Sequence, residues 1–204
     1  GNSSTCVSNV TVVDDILPIA LCVDVTVQLD GAGSASITEG DIDGGSADIC
    51  GVSTSASPLS FGCGDLGGNQ AILTVTDGGG NISTCEATVT VNDNELPVIT
   101  SPCPADVIQD GDNGTCEAIV TWVAPTATDN CAVTDFSPTN ANGSTFNLGT
   151  TTVIYTATDA AGNAASCQFD VTINDGELPM ITDCPANIDN GCASIVAWNL
   201  PSAS

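Results

Sequence analysis

Asp93-Asn94-Glu95-Leu96-Pro97 decides the architecture, because the 204-residue chain carries two further versions of it, Asp14-Asp15-Ile16-Leu17-Pro18 and Asp175-Gly176-Glu177-Leu178-Pro179. The Leu-Pro pairs begin at positions 17, 96 and 178, giving periods of 79 and 82 residues. Such a period is too long for a solenoid turn and suits a small sandwich domain. Asp, Asn and Gly close turns, and the residue before a proline is held extended, so each copy reads as a domain boundary. The expected organisation is the last strand of a preceding repeat at 1–13, complete repeats at 14–92 and 93–174, and the first strands of a following repeat at 175–204.

Each boundary follows a run of alternating β-branched residues: Val7 to Val13, Glu86 to Val91 and Phe169 to Ile173. Such runs favour a pleated, half-buried surface. Ala71 to Thr76, Ala118 to Val123 and Thr151 to Thr156 alternate likewise inside the repeats, between Gly, Asn, Asp and Pro punctuation. No stretch has helical periodicity. The expected fold class is all-β: tandem sandwich repeats.

Eleven cysteines without any histidine, and without paired C-x-x-C knuckles, read as disulfides and not as zinc ligands. Disulfides persist in oxidising compartments, which places the protein outside the cell or on its surface. Cys22, Cys50, Cys63 and Cys85 fall in the first complete repeat, Cys103, Cys116, Cys131 and Cys167 in the second, and Cys6, Cys184 and Cys192 in the flanks. Four cysteines allow three pairings. The short span from Cys103 to Cys116 favours that bond, leaving Cys131 with Cys167 and, by analogy, Cys184 with Cys192. The first repeat has no counterpart of Cys116 and has Cys63 in addition, so Cys22 with Cys63 and Cys50 with Cys85 are expected there. Two Trp, one Tyr and four Phe make lean cores, and staples of ~2–4 kcal/mol each offset the limited apolar burial.

The chain contains no Lys, Arg or His and 25 carboxylates, for a formal charge of −25. A typical chain of this size would hold ~25 Lys and Arg. Binding to nucleic acid needs cations against phosphate, and binding to anionic membrane surfaces needs basic clusters; both are excluded. Catalysis loses its usual His base, Lys nucleophile and Arg clamp, so an enzyme is not expected. No run of about 18 apolar residues is present to span a membrane, and no basic leader opens the sequence. Any anchor or signal peptide is expected outside these residues.

Cys103-Pro104, Thr128-Asp129-Asn130-Cys131, Gly149-Thr-Thr-Thr-Val153, Thr158-Asp159-Ala-Ala-Gly-Asn163 and the Leu-Pro boundary together resemble the hyalin repeat, HYR. The resemblance covers residues 93–174 fully and both flanks in part. The first repeat looks like the variant of large bacterial surface proteins, with Ala47-Asp48-Ile49-Cys50 in place of Thr-Asp-Asn-Cys. The resemblance implies an immunoglobulin-like sandwich, an extracellular location, a role in adhesion and no enzymatic site.

Immunoglobulin-like topology returns the B–C and F–G loops to the end where the first strand enters. It therefore brings Asp93 and Glu95 toward Asp129 and Asp159 in the second repeat. Asp14, Asp15, Asp41, Asp43, Asp48 and Asp77 gather at the corresponding end of the first, and Asp175 and Glu177 open the next. Carboxylates converging without a protein cation either rise in pKa or take up a cation, and hard oxygen ligands suit calcium. The arrangement is similar to cadherin junctions, whose linker motif Asn92-Asp93-Asn94 and Asn174-Asp175 match in part; Val13 departs from it. The competing reading is that these Asp residues only cap turns.

Gln109 to Gly114 resembles the opening of an EF-hand loop but lacks the later ligands, so a hairpin turn is expected. Trp122 and Trp198 alternate with Ile and Val and read as core. Sequons at Asn2, Asn9, Asn81, Asn113 and Asn142 mark candidate glycosylation sites. The expected function is structural: a rod, stalk or filament built by self-association or tandem copies and stiffened by calcium. The alternative is a calcium-dependent adhesion module binding a glycan or a surface protein.

Overall fold

The computed structural model describes residues 1–179. Contacts group them into two compact units, the first made of residues 1–102, 125–137 and 155–167, the second of 103–124, 138–154 and 168–179. The chain is all-β, as expected. The elements of the first repeat are β1 (Val25–Gln28), β2 (Ser34–Ser36), α1 (Glu39–Ile42), β3 (Val52–Ser57), β4 (Ser60–Gly62), β5 (Gly67–Asp77) and β6 (Ile82–Asn92).

In the first unit, β1-β6-β5-β3 form a four-stranded sheet and β2 pairs with β4 in a second. Alternation in β5 and β6 buries Ala71, Leu73, Val75, Ala87, Val89 and Val91, which meet Leu29, Ile37, Phe61 and Ile42 in one core. Complete burial of a Leu, Val, Ile or Phe side chain contributes about 1.5–3 kcal/mol, so ten small to medium side chains make a modest core. β1 runs parallel to β6, Val25 opposite Val89 and Gln28 opposite Asn92. Just before β1, Cys22 is bonded to Cys85 of β6.

One helical turn, α1, departs from the expected absence of helix. The Asp41 carboxylate accepts from the Thr38 N–H at 2.7 Å and from its hydroxyl at 2.8 Å, a capping box that closes the turn and lets Ile42 reach the core.

The second repeat contributes β7 (Val98–Ile99), β8 (Val107–Asp110), β9 (Glu117–Ile119), β10 (Ala127–Thr128), β11 (Val133–Pro138), β12 (Thr145–Asn147), β13 (Gly149–Asp159) and β14 (Ala164–Asn174). Its sheets repeat the plan: β11-β13-β14-β8, with β9 pairing β12. β8 runs parallel to β14 as β1 does to β6. Ala118 faces Phe146 where Ala35 faces Phe61. Trp122, partly buried, packs edge-on against the buried Phe169 at 5.1 Å and Phe146 at 6.1 Å, on the apolar side as expected; Trp198 lies outside the described residues.

Three expectations are corrected. Val7 to Val13 joins no strand of the described residues, and its valines are exposed. The Gln109 to Gly114 segment does turn, through Asp112 N–H to Glu117 O at 2.8 Å. The strands it joins, however, pair with different partners, β8 with β14 and β9 with β12, so it connects two sheets and is not a hairpin within one.

The disulfide pairing also differs. Cys22 bonds Cys85, Cys63 bonds Cys131, and Cys103 and Cys167 are in disulfides, while Cys50 and Cys116 are free and exposed. Cys103 precedes β8 and Cys116 follows it, so one strand length keeps them apart. Cys22 and Cys63 likewise sit at opposite ends of β1, for Cys63 Sγ lies beside the Gly33 carbonyl that follows that strand. Cys85 faces Leu73, which faces Ala56; Cys50 is six residues from Ala56, about 20 Å of extended chain. Cys184 and Cys192 lie outside the described residues.

Candidate metal centre

Asp93 follows β6, Asp129 follows β10 and Asp159 ends β13, all within the first compact unit. One carboxylate oxygen from each lies within 4.8 Å of the others. Asp93 and Asp159 are only 5% and 3% exposed. Each is fixed by a local turn. Asp93 Oδ1 accepts from the Glu95 N–H at 3.1 Å, and Asp129 Oδ2 accepts from the Cys131 N–H at 2.9 Å. Asp159 accepts from Asn163 twice, at Oδ1 from its N–H and at Oδ2 from its side-chain amide, both at 2.8 Å.

The turn-capping reading therefore accounts for half of each of the first two carboxylates. Asp93 Oδ2, Asp129 Oδ1 and the neighbouring Asn130 Oδ1 are buried and have no hydrogen-bond partner. A buried acceptor left unpaired costs about 1–3 kcal/mol, more when charged. The chain holds no Lys, Arg or His to answer them. Asn130 is anchored with its amide donating to the Asp30 carbonyl at 3.0 Å and to Asp93 Oδ1 at 3.2 Å, which leaves its oxygen for the cluster. Ala132, two residues on, has φ of +138°, a strained backbone next to the Asp129-Asn130 turn. A hard cation taking several oxygen ligands, calcium above all, fits this donor set.

The head of the first repeat shares only part of this layout, with Cys50 and not Asp77 completing its grouping. Asp14, Asp48 and Cys50 form a grouping of the same size, and Asp14 Oδ2 is also buried without a partner. Asp77, 7% exposed, is held by Asn81 as Asp159 is by Asn163. Burial pushes both Asp77 and Asp159 upward, but the amides of Asn81 and Asn163 and nearby backbone N–H groups outweigh it, so both carboxyls titrate below the ordinary value. The Cys50 thiol is raised, chiefly by the adjacent Asp14 carboxylate. Ile49 stands where Asn130 stands in the second repeat, so this head lacks one oxygen.

The other expected ligands belong to no such grouping among the described residues. Glu95, though exposed, lines a cleft with Asp129 and Asn130, and Asp15 is exposed. Asp41 caps α1, and Asp43 accepts from the N–H groups of Gly45 and Ser46; both are lowered, by the Thr38 and the Ser46 backbone N–H respectively, as turn caps should be. Glu177 Oε1 accepts from the Gly114 N–H at 2.8 Å, and Asp175 Oδ1 accepts from the Glu177 N–H; neither belongs to a metal-sized grouping among the described residues. Asn81 and Asn142 spend their side-chain nitrogens on the fold, Asn142 on the Trp122 carbonyl at 2.7 Å, which argues against glycans there. Asn2, Asn9 and Asn113 are exposed. Asn130, Asn163 and Asn81 are the participants that charge counting missed; the first two lie inside the motifs already quoted.

Two-layer all-β repeats, disulfides and acidic heads define a disulfide-stapled, immunoglobulin-like module of the extracellular kind. Residues 92–173 match the family model of the HYR domain. Hyalin of Strongylocentrotus purpuratus is 32% identical over 98% of this chain and 18% of that protein; hyalin of Lytechinus variegatus is 45% identical over 34% of this chain and 13% of that protein. Residues 92–173 are thus a HYR domain, in a chain that spans less than a fifth of these curated relatives. Among solved structures, Sidekick-1 immunoglobulin domains 1–4 give a TM-score of 0.41 at 10% identity, covering 79% of this chain and 48% of that one. Drosophila N-cadherin EC1-4 gives 0.38 at 14% identity, covering 78% and 50%. Among the described residues no helix is long and apolar enough to cross a membrane.

Proposed function

We propose that the chain is a load-bearing segment of an extracellular rod, stalk or filament, with residues 14–92 and 93–174 as its repeats and calcium bound at their acidic heads. One observation carries this reading: three buried oxygens of Asp93, Asp129 and Asn130 lack partners beside Asp159, in a chain with no cationic side chain. Asp93 lies on the segment leading out of the first repeat, while Asp129 and Asp159, the latter ending β13, belong to the second, so a shared ion would hold successive repeats in fixed register. Binding in the ~10⁻⁴–10⁻³ M range of extracellular modules is expected. Tandem copies of the repeat are the natural partners of such a segment.

The test is a calcium titration by calorimetry on the wild type and on Asp129→Asn, together with electron micrographs of the native material with and without a chelator. Saturable binding that Asp129→Asn abolishes, with straight particles turning flexible on chelation, supports the reading. Absence of binding at 10-fold above the expected range, or unchanged particles, removes it.

A further inference from the structure

The Cys63 to Cys131 bond joins residues 68 apart, the first in the 14–92 repeat and the second in the 93–174 repeat, both inside the first compact unit. Its two ends have counterparts elsewhere in the chain. Asp129-Asn130-Cys131 corresponds to Asp48-Ile49-Cys50: in both, the Asp carboxylate accepts from the Cys N–H, at 2.9 Å and 3.0 Å. Cys50 is thus the Cys131 of the first repeat, and it is free and exposed.

The other end follows from strand register. Ser34 faces Gly62 across β2 and β4, and Glu117 faces Asn147 across β9 and β12, so Gly33 corresponds to Cys116 and Cys63 to Leu148. A Cβ built on Gly33 would lie 2.7 Å from Cys63 Sγ and 2.8 Å from the Asn130 carbonyl oxygen. The spot where the sulfur of Cys63 meets the incoming Asp-x-Cys turn is therefore the spot that the side chain of Cys116 enters in the second repeat. Cys116 is free and exposed too, in a cleft shared with Leu148, Asp175, Glu177 and Leu178.

We propose that Cys50 and Cys116 are the open ends of a repeat-to-repeat disulfide series, of which Cys63 to Cys131 is the one closed member among the described residues. Cys116 bonds the Asp-x-Cys cysteine of the repeat that follows it, and Cys50 bonds a tip cysteine, at the Cys63 or Cys116 position, of the repeat that precedes it. The partner repeat belongs either to the same polypeptide or to a second copy. Each closure removes two protons and two electrons from a pair of thiols. A small-molecule disulfide of the glutathione class accepts them and leaves as two thiols. The series extends the filament reading without depending on calcium, and a failed calcium titration leaves it standing.

The experiment is non-reducing peptide mapping of the full secreted polypeptide, produced as a mixture of unlabelled and 15N-labelled chains and cleaved at Asp and Glu because no basic site exists. Cys116 bonded to an Asp-x-Cys cysteine and Cys50 bonded to a tip cysteine are expected. Peptide pairs of a single isotope assign the partner to the same polypeptide, and mixed pairs assign it to a second copy. Either cysteine found as a thiol, or bonded at any other position, overturns the proposal. A second readout is the count of free thiols in the denatured, unreduced protein. Cys116→Ser raises it by one if Cys116 is bonded, because its partner is released, and lowers it by one if Cys116 is free, which also overturns the proposal.

Discussion

The side-chain amide of Asn163 donates to the main-chain oxygen of Asp93, 70 residues earlier, at 3.0 Å. The same amide reaches Asp159 Oδ2 at 2.8 Å, so one asparagine sets the spacing of two candidate ligands. Asn81 repeats the device, donating at 2.9 Å to the Asp14 oxygen and at 2.8 Å to Asp77 Oδ2.

Replacing that amide is expected to be costly. Asn163→Ala leaves Asp159 Oδ2 and the Asp93 carbonyl without their donor, a loss of about 1–3 kcal/mol. For a domain of this size each kcal/mol lowers Tm by about 4–8 °C. If calcium binds, its affinity falls about 10-fold or more through the misplaced ligands. Thermal melts with and without calcium read both effects.

Acid should weaken the fold through the same pair of carboxyls. Asp77 and Asp159 titrate below their ordinary value of 3.8 in the folded state. Their contribution is therefore complete above the unfolded value and disappears as pH falls through the lower folded one. Easing of repulsion among the other carboxylates works the opposite way in this window. The informative quantity is the gap in denaturant midpoint between wild type and Asn163→Ala, expected to be steady from pH 7 to about pH 5 and to narrow below about pH 4 to the part owed to the Asp93 carbonyl, which does not titrate. A gap of constant size down to pH 2 would falsify the assignment.

Gly33 tolerates no side chain. Its φ is +72°, and a Cβ would press on Cys63 Sγ and the Asn130 oxygen. Gly33→Ala is expected to destabilise by about 1–3 kcal/mol and to reduce the yield of the Cys63 to Cys131 bond. Gly31→Ala, with open space around its position, serves as the control. Urea unfolding and thiol counting on both variants decide the matter.

The core makes a plainer expectation. Leu73 is fully buried and Leu96 is 59% exposed. Leu73→Ala should cost about 2–5 kcal/mol and Leu96→Ala within about 0.5 kcal/mol, measured by denaturant midpoints.

Much of this was legible in the residues. The Val-Thr alternation announced an all-β fold, and β5, β6, β13 and β14 lie where that alternation is longest. Asp93, Asp129 and Asp159 meet because immunoglobulin-like topology returns their segments to one end. The disulfides were not legible, since proximity in sequence says little when a strand intervenes: Cys103 and Cys116 are 13 residues apart yet flank β8. Nor did counting cysteines repeat by repeat allow for a bond such as Cys63 to Cys131, which leaves one thiol over at each end of the series. Asn163 and Asn81 escaped notice because an amide that positions a ligand carries no charge.

The Cys22 to Cys85 bond also governs how the protein answers tension. A pull that enters at Pro18 and leaves at Asp93 passes through the sulfur bridge and skips the loop it closes, whose ends are 63 residues apart. Unravelled, that loop would have lengthened the path by roughly 200 Å; sealed, it adds nothing. Melting of the sandwich thus barely changes its end-to-end reach, and a string of such links behaves as a nearly inextensible cord.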